Sequence, residues 1–446
     1  MNTQPDVHAL RRGRVLDALR HDPAGALIVP AAPALRLGAD GEVRYLPDPD
    51  LYYLTGYMEP EAVLVLCPTA EPPFTLFVRD RDPELERWSG VRGGIEAATG
   101  RYAADAAHPL KELAERLPGL VADATTLYVP LDSGRPEVDA VVHAALAGAR
   151  HARPRTGRGP HTVADPRLLL GPLRMRKDPH EIELIREAAR ISTAAFHDAA
   201  RRIRGAEGEW QIEAALDHGF RDRAAMGAAF PSIVAGGPNA TVLHYTSNDA
   251  PLAKGDLLLV DAGARYRMYC ADITRTYPVS GRFSAEQRAV YDIVLGAHDA
   301  GIAASRVGAT VLDVHEAALA VLVDGMIELG LVTGTRAEVI ASDAHKRYFP
   351  HRTSHWLGLD VHDIGDYTLT DGEPARLEES MVLTVEPGIY IPIDDDRAPA
   401  ALRGIGVRLE DDVLVTRDGP DVLTSALAIR PDAVEELVRG GATSAG

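Results

Sequence analysis

The chain has 446 residues, enough for two or three domains with large cores, and its 65 acidic against 47 basic residues leave a formal net charge of −18. That balance argues against the basic face a nucleic-acid partner requires, and Cys67 and Cys270 are too few for a disulfide framework. Residues 1–20 lack an apolar core of signal-peptide length and no run approaches the ~18 apolar residues of a membrane span, so a cytoplasmic protein with no membrane partner is expected.

From the amino terminus, residues 26–29, 62–66, 74–78 and 127–129 read as buried strands and 138–149 as a helix. This alternation predicts an α/β domain over residues 1–172. Its last stretch, 153–172, is rich in Pro, Gly and Arg and reads as linker. Trp88, in ELERWSG, lies in a polar, turn-like setting. A second domain, 173–446, begins with KDPHE: Asp178 is placed to cap a helix, Pro179 to be its first residue and Glu181 to return the capping bond. Beyond it helices come first and strands mostly later, an α+β pattern. The tail, 440–446, is small and polar and is expected to fray.

Residues 257–276, LLLVDAGARYRMYCADITRT, hold the first concentration of chemistry. Asp261 and Asp272 are symmetric about a turn centred near Tyr266 and Arg267. In a hairpin of that register they face each other, and opposed like charges are destabilising unless one is protonated or a cation lies between them. A slipped register with two solvated aspartates is the bland alternative. Three later segments add ligand types: HRTSHWLGLDVHD (351–363), MVLTVEPG (381–388), which delivers Glu386 at the end of an apolar run, and GVRLEDD (406–412), which delivers Glu410. A Glu buried at a strand end is costly unless paired or metal-bound, although either strand alone can simply emerge into solvent. Two Asp, two Glu and one His form an oxygen-rich set suited to Mn²⁺ or a similar divalent ion. His351 and His355 are spaced i, i+4, but Arg352 stands where the HExxH motif needs its Glu. Arg408, two residues before Glu410, shares its strand face and can hold a carboxylate or sit near His351. GxSxG and GxxxxGK[ST] motifs are absent.

The ordered set DAG…ADITRT, HRTSHWLGLDVHD, LTVEPGIY and GVRLEDD resembles the pita-bread metallopeptidases, most closely the bacterial aminopeptidase P (Xaa-Pro aminopeptidase) branch, and the resemblance covers nearly the whole chain. It implies an α/β amino-terminal accessory domain followed by an α+β pita-bread (creatinase/aminopeptidase-like) catalytic domain. It further implies two divalent metal ions, Mn²⁺ being expected. Asp261 would hold one and His355 with Glu386 the other, with Asp272 and Glu410 bridging. Glu386 would also relay a proton to the leaving amine. His351 would be an unliganded active-site group, His244 and His362 would position substrate and stabilise developing charge, and Arg408 would complete the catalytic set. Tyr390, following the Glu386 motif, is read either as lining the substrate pocket or as a packed or exposed aromatic. Trp88 is either a packing anchor or, as the resemblance implies, a residue that reaches the active site of a neighbouring subunit in a homo-oligomer, a dimer or tetramer. The implied substrate is a peptide with proline in second position, whose ring fixes φ and whose nitrogen bears no hydrogen. Many members of the family carry Gly after the first His of the 351–363 segment, where this chain has Arg352, which bears on the pocket rim. A prolidase cleaving Xaa-Pro dipeptides is the nearest rival. A metal-free creatinase-like enzyme and a non-catalytic binding module both predict lost ligands, and here all five ligand positions are filled.

Overall fold

Aliphatic runs without polar alternation form strands buried on both faces, and such runs build the amino-terminal part of the chain. The computed structural model describes residues 6–440 apart from 22–23, 39–40 and 132–133; the tail expected to fray lies, from residue 441, outside the described residues. The chain divides into two units, Met1–Pro172 and Leu173–Gly446.

The first unit is built on a six-stranded mixed sheet in the order Ala106–Pro109, Phe74–Val78, Ala62–Leu66, Gly25–Pro30, Thr126–Tyr128, Thr162–Ala164. The central strand Gly25–Pro30 pairs antiparallel with Ala62–Leu66 and parallel with Thr126–Tyr128. Ile28, Val63, Val65, Phe77 and Leu127 pack with Leu113 and Leu117 of one helix and Val138 and Val142 of another. The expected linker is mostly regular structure. Helix Pro136–Thr156 runs on past Pro154, which falls in its last turns, and ends at Gly157 in the left-handed conformation. Residues 162–164 add the edge strand, and helix Arg167–Met175 follows. An edge strand is bonded on one side and needs no apolar run, so composition alone hid it. Trp88 lies in a short helix, Pro83–Ser89, rather than a turn; Asp82 caps it by accepting from the N–H groups of Glu84 and Leu85.

The second unit sets two helix pairs against small antiparallel sheets, of which two three-stranded ones position the site. Helix Pro179–Ala200 opens with the Asp178–Glu181 capping box that the sequence predicts, and packs on Glu209–Asp222. These pack with the sheet Ile233–Gly236, Leu257–Ala262, Ile273–Pro278. Helices Ala285–Ala304 and Val311–Glu328 pack on each other, and the sheet Val382–Val385, Asp411–Thr416, Gly419–Val422 belongs to this second half. The two sheets are stitched at one bridge, where the Glu410 N–H donates to the Thr274 carbonyl at 3.0 Å. No helix among the described residues is long and apolar enough to cross a membrane.

The hairpin register differs from the one expected. Asp261 pairs with Thr274 and Ala262 with Ile273, so Asp272 is not opposite Asp261 but diagonal to it, on the same face. The turn lies one residue later than its apparent centre. Arg267 and Met268 both take positive φ, 45° and 74°, closing a two-residue loop between the paired Tyr266 and Tyr269. Gly263 makes this register possible: a Cβ there would fall 1.7 Å from the Ala271 carbonyl oxygen.

The opposed like-charged pair occurs instead between the glutamates. Val385 pairs with Asp411 and Gly388 with Arg408, two pieces of one register interrupted between them. Glu386 and Glu410 therefore fall opposite each other in the gap, where Cβ atoms of directly paired residues lie roughly 4.5–5.5 Å apart.

Candidate active site

A cavity of about 1270 Å³ opens in the second unit and is lined by Asp261, Asp272, Glu386, Glu410, His244, His351, His355, His362 and Arg408, with apolar Phe230, Pro231, Val311 and Leu312 among its walls. At its floor one ligand atom each from Asp272, His355 and Glu410 lies within 4.8 Å of the others. His355 Nε2 is 3.5 Å from Asp272 Oδ2 and 3.7 Å from Glu386 Oε1. Its other ring nitrogen, Nδ1, lies 3.1 Å from the Trp356 carbonyl, which fixes the hydrogen on Nδ1 and leaves the Nε2 lone pair facing the carboxylates. The 353–356 backbone runs beside strand Val382–Val385: the Thr384 N–H donates to the His355 carbonyl at 3.0 Å and the Glu386 N–H to that of Thr353 at 2.8 Å. His355 and Glu386 are thus held by neighbouring backbones, and residues 351–363 form an irregular loop, so the i, i+4 histidine spacing has no helical meaning.

Asp261 is less directly part of this group. Its Oδ2 accepts from Arg408 Nη2 at 2.5 Å, while Oδ1, like Oδ1 of Asp272, is buried without a hydrogen-bond partner among the described residues. Arg408 is itself buried and also donates to Thr274 Oγ1 at 3.2 Å and the Tyr390 hydroxyl at 3.0 Å. Glu410 accepts from Thr274 Oγ1 at 2.7 Å. Burial first, and then the charges of Asp261, Asp412 and Glu386 on Asp272 and of Asp272, Glu386 and Asp261 on Glu410, push both carboxyls well above their usual range. Burial likewise lifts Glu386 to about 7. A floor that resists its own negative charge and leaves carboxylate oxygens unpartnered fits divalent cations.

The histidines divide into two kinds. His351 has both ring nitrogens engaged: Nδ1 lies 2.8 Å from the Arg352 carbonyl and Nε2 2.8 Å from the Tyr390 hydroxyl, with Glu386 Oε2 3.6 Å from Nδ1. Burial and the nearby Arg408 push its pKa down to about 3, so it is neutral at working pH. His244 and His362 are exposed to the cavity; the His362 ring lies 4.3 Å from that of His355. The loop bearing His362 is pinned next door by Asp363, a buried carboxylate bonded to Arg174 and, at 3.0 Å, to Lys177.

One expected position takes its packed alternative. Tyr390, expected to line the pocket, is buried behind His351 and Arg408 and is not among the lining residues, because its hydroxyl is used to bond both. Trp88 belongs to the amino-terminal unit and is 90% exposed. Sequence reasoning missed Thr274, which period-2 spacing from Asp272 puts on the same strand face. It also missed Asp412, whose carboxylate accepts the Asp272 N–H at 3.2 Å. A buried Asp next to a candidate ligand carries no signal of its own in one sequence.

Residues 183–417 match the family model described as metallopeptidase family M24. The chain belongs to metallopeptidase family M24. Residues 8–128 match the model for the aminopeptidase P N-terminal domain. The Xaa-Pro aminopeptidase of Escherichia coli is 37% identical over 418 residues, 93% of this chain and 94% of that protein. The structure of Pseudomonas aeruginosa aminopeptidase PepP superposes with a TM-score of 0.92 at 39% identity, covering 100% of both chains. A zinc-substituted E. coli aminopeptidase P in complex with product gives the same TM-score, 0.92, at 35% identity, again covering 100% of each chain. This M24 chain is a metal-dependent aminopeptidase with an aminopeptidase P-type amino-terminal domain and a pita-bread catalytic domain; neither a prolidase nor a non-catalytic module accounts for the site and its relatives as well.

Proposed function

We propose that the enzyme releases the amino-terminal residue from peptides with proline in second position, using two divalent ions held by Asp261, Asp272, His355, Glu386 and Glu410. The observation that carries this is the convergence of a nitrogen and four carboxylates on one cavity floor, with buried oxygens of Asp261 and Asp272 unpartnered. Similarity to E. coli Xaa-Pro aminopeptidase supports the proline preference. Mn²⁺ is the ion we propose, because the donor set is mostly hard oxygen with one borderline imidazole. When bound, the ions supply Lewis-acid polarisation of the scissile carbonyl and a water acidified toward neutral pH.

The chain's own residues do the rest. Arg408 orients Asp261 through Oδ2 and so aims Oδ1 at the floor. Glu386, between His351 and His355, has one oxygen near each, which lets one oxygen serve an ion while the other carries a proton to the leaving amine. His244 and His362, free to face substrate, orient it and donate hydrogen bonds to the carbonyl oxygen as charge develops there. Tyr390 holds His351 and Arg408 in register from behind. The test is hydrolysis by Mn²⁺-loaded protein. Release of the first residue from Xaa-Pro-Yaa tripeptides, lost on chelation, is expected; cleavage of Xaa-Pro dipeptides alone would make the enzyme a prolidase instead.

We propose a cytoplasmic homo-oligomer, dimer or tetramer, in which Trp88 contributes to a neighbour's substrate site. Cys67 and Cys270 are both buried and unpaired, which suits a reducing compartment. Trp88 at 90% exposure, with Val91 at 78% and Leu85 at 45%, leaves large apolar side chains in solvent within one short stretch of chain, which supports an interface there. Sedimentation giving a monomer at assay concentration, with Trp88→Ala unchanged in KM, would contradict this assignment.

A further inference from the structure

Three arginines line the cavity: Arg265, Arg352 and Arg408. Two are occupied. Arg408 is bound to Asp261, and Arg265 donates to the backbone carbonyls of Met268, Leu359 and Ala229. Arg352 is exposed, and its guanidinium has no hydrogen bond or ion pair among the described residues. It follows His351, whose ring lies 3.6 Å from Glu386, so its backbone is anchored next to the reacting centre while its long side chain is free to reach along the wall. Beside it on that wall stands His315, with Nδ1 2.8 Å from Thr353 Oγ1. Burial, with the Arg352 charge second, pulls the His315 pKa down to about 4, so the imidazole is neutral at working pH and can offer a hydrogen bond rather than a second charge. The cavity is therefore polarised, with carboxylates on the floor and an uncompensated cation on one wall.

We propose that Arg352, supported by His315, is a specificity-determining residue that binds a carboxylate on the leaving side of the peptide, just beyond the proline. This rests on the aminopeptidase reading. Charge complementarity orients the substrate: its α-ammonium suits the acidic floor, so the chain past the scissile bond runs away from it. Two residues of extended peptide span about 7 Å, a distance an arginine one position from His351 can cover. The carboxylate has two sources, the free carboxy terminus of a tripeptide or an acidic side chain following proline.

Two substrate pairs separate them: Xaa-Pro-Leu as acid against its carboxy-terminal amide, and Xaa-Pro-Glu-amide against Xaa-Pro-Gln-amide. The protein is expected to favour the carboxylate member of at least one pair roughly three- to tenfold in kcat/KM, through KM, with the preference shrinking as salt is added. Arg352→Ala should bring that ratio to about one, and Arg352→Glu should invert it. Calorimetric binding of Pro-Leu and Pro-Leu-amide to the Mn²⁺-loaded protein reads the terminal carboxylate without turnover. A protein that hydrolyses neither pair ends the aminopeptidase reading, while that binding ratio still decides the role of Arg352. Equal handling of both members of both pairs, equal binding of the two dipeptides where nothing is turned over, or a preference that survives Arg352→Ala, overturns the proposal.

Discussion

Asp272 joins both halves of the site at the residue scale. One carboxylate oxygen lies 3.5 Å from His355, the other has no hydrogen-bond partner among the described residues, and the backbone N–H is held by Asp412. Asn is nearly isosteric and keeps that N–H, but it removes the negative charge that a cation needs and that Glu410 repels. Asp272→Asn is therefore expected to lower metal affinity by roughly a hundredfold or more and to abolish metal-dependent hydrolysis, while the far-ultraviolet spectrum is retained. Calorimetry of Mn²⁺ binding checks it; full activity in this variant would remove Asp272 from the centre. Much of this residue set was legible in the sequence because carboxylates at the ends of apolar runs need a counter-charge. Tyr390 was legible only as an aromatic near the site. Which side of His351 it occupies depends on how strand Gly388–Tyr390 pairs with Gly406–Arg408, and no local pattern states that.

Elements set the register, and register is where sequence reasoning fell short. Side-chain period along a strand is visible in a sequence, whereas the position of a two-residue turn depends on which residues accept positive φ. Here they are Arg267 and Met268, neither of which announces that conformation. The consequence is informative: the aspartates are diagonal, and the opposed pair is Glu386 with Glu410. The 153–172 stretch failed for a related reason, since its strand is bonded on one edge only and shows no apolar run. Gly263 tests the hairpin directly. A methyl group there would collide with the Ala271 carbonyl at 1.7 Å, a backbone contact that no rotamer relieves. Gly263→Ala should destabilise the protein by about 3 kcal/mol or more and lose metal affinity in parallel, as measured by denaturant unfolding and calorimetry. Wild-type stability with normal metal content would show that the hairpin tolerates another register.

For the whole molecule, metal, protons and stability are linked. Glu386 is lifted from 4.5 to about 7, and Asp272 and Glu410 are raised well above the usual carboxylate range, by burial first and then by neighbouring carboxylates. A carboxyl whose folded-state pKa is raised binds more protons in the native state than in the unfolded one, so its contribution to stability falls as pH rises through that window. A divalent ion relieves this penalty and must displace those protons to bind. The melting temperature of the Mn²⁺-loaded protein should therefore exceed that of the chelated protein by a margin that widens as pH rises from about 5 through about 7. Comparing the two forms cancels the opposite trend from His351 and His315, whose pKa values are lowered. A margin independent of pH would mean that these carboxylates are not the ligands.

The function proposed for this protein requires that the cavity floor be a two-ion centre that drives peptide hydrolysis. The direct measurement is a titration of chelated protein with Mn²⁺, following bound metal and release of the amino-terminal residue from an Xaa-Pro-Yaa tripeptide in the same samples. Activity absent without metal and rising to a plateau as two ions bind per chain is the result expected. Undiminished hydrolysis by the metal-free protein, or metal uptake that leaves the tripeptide intact, would contradict it.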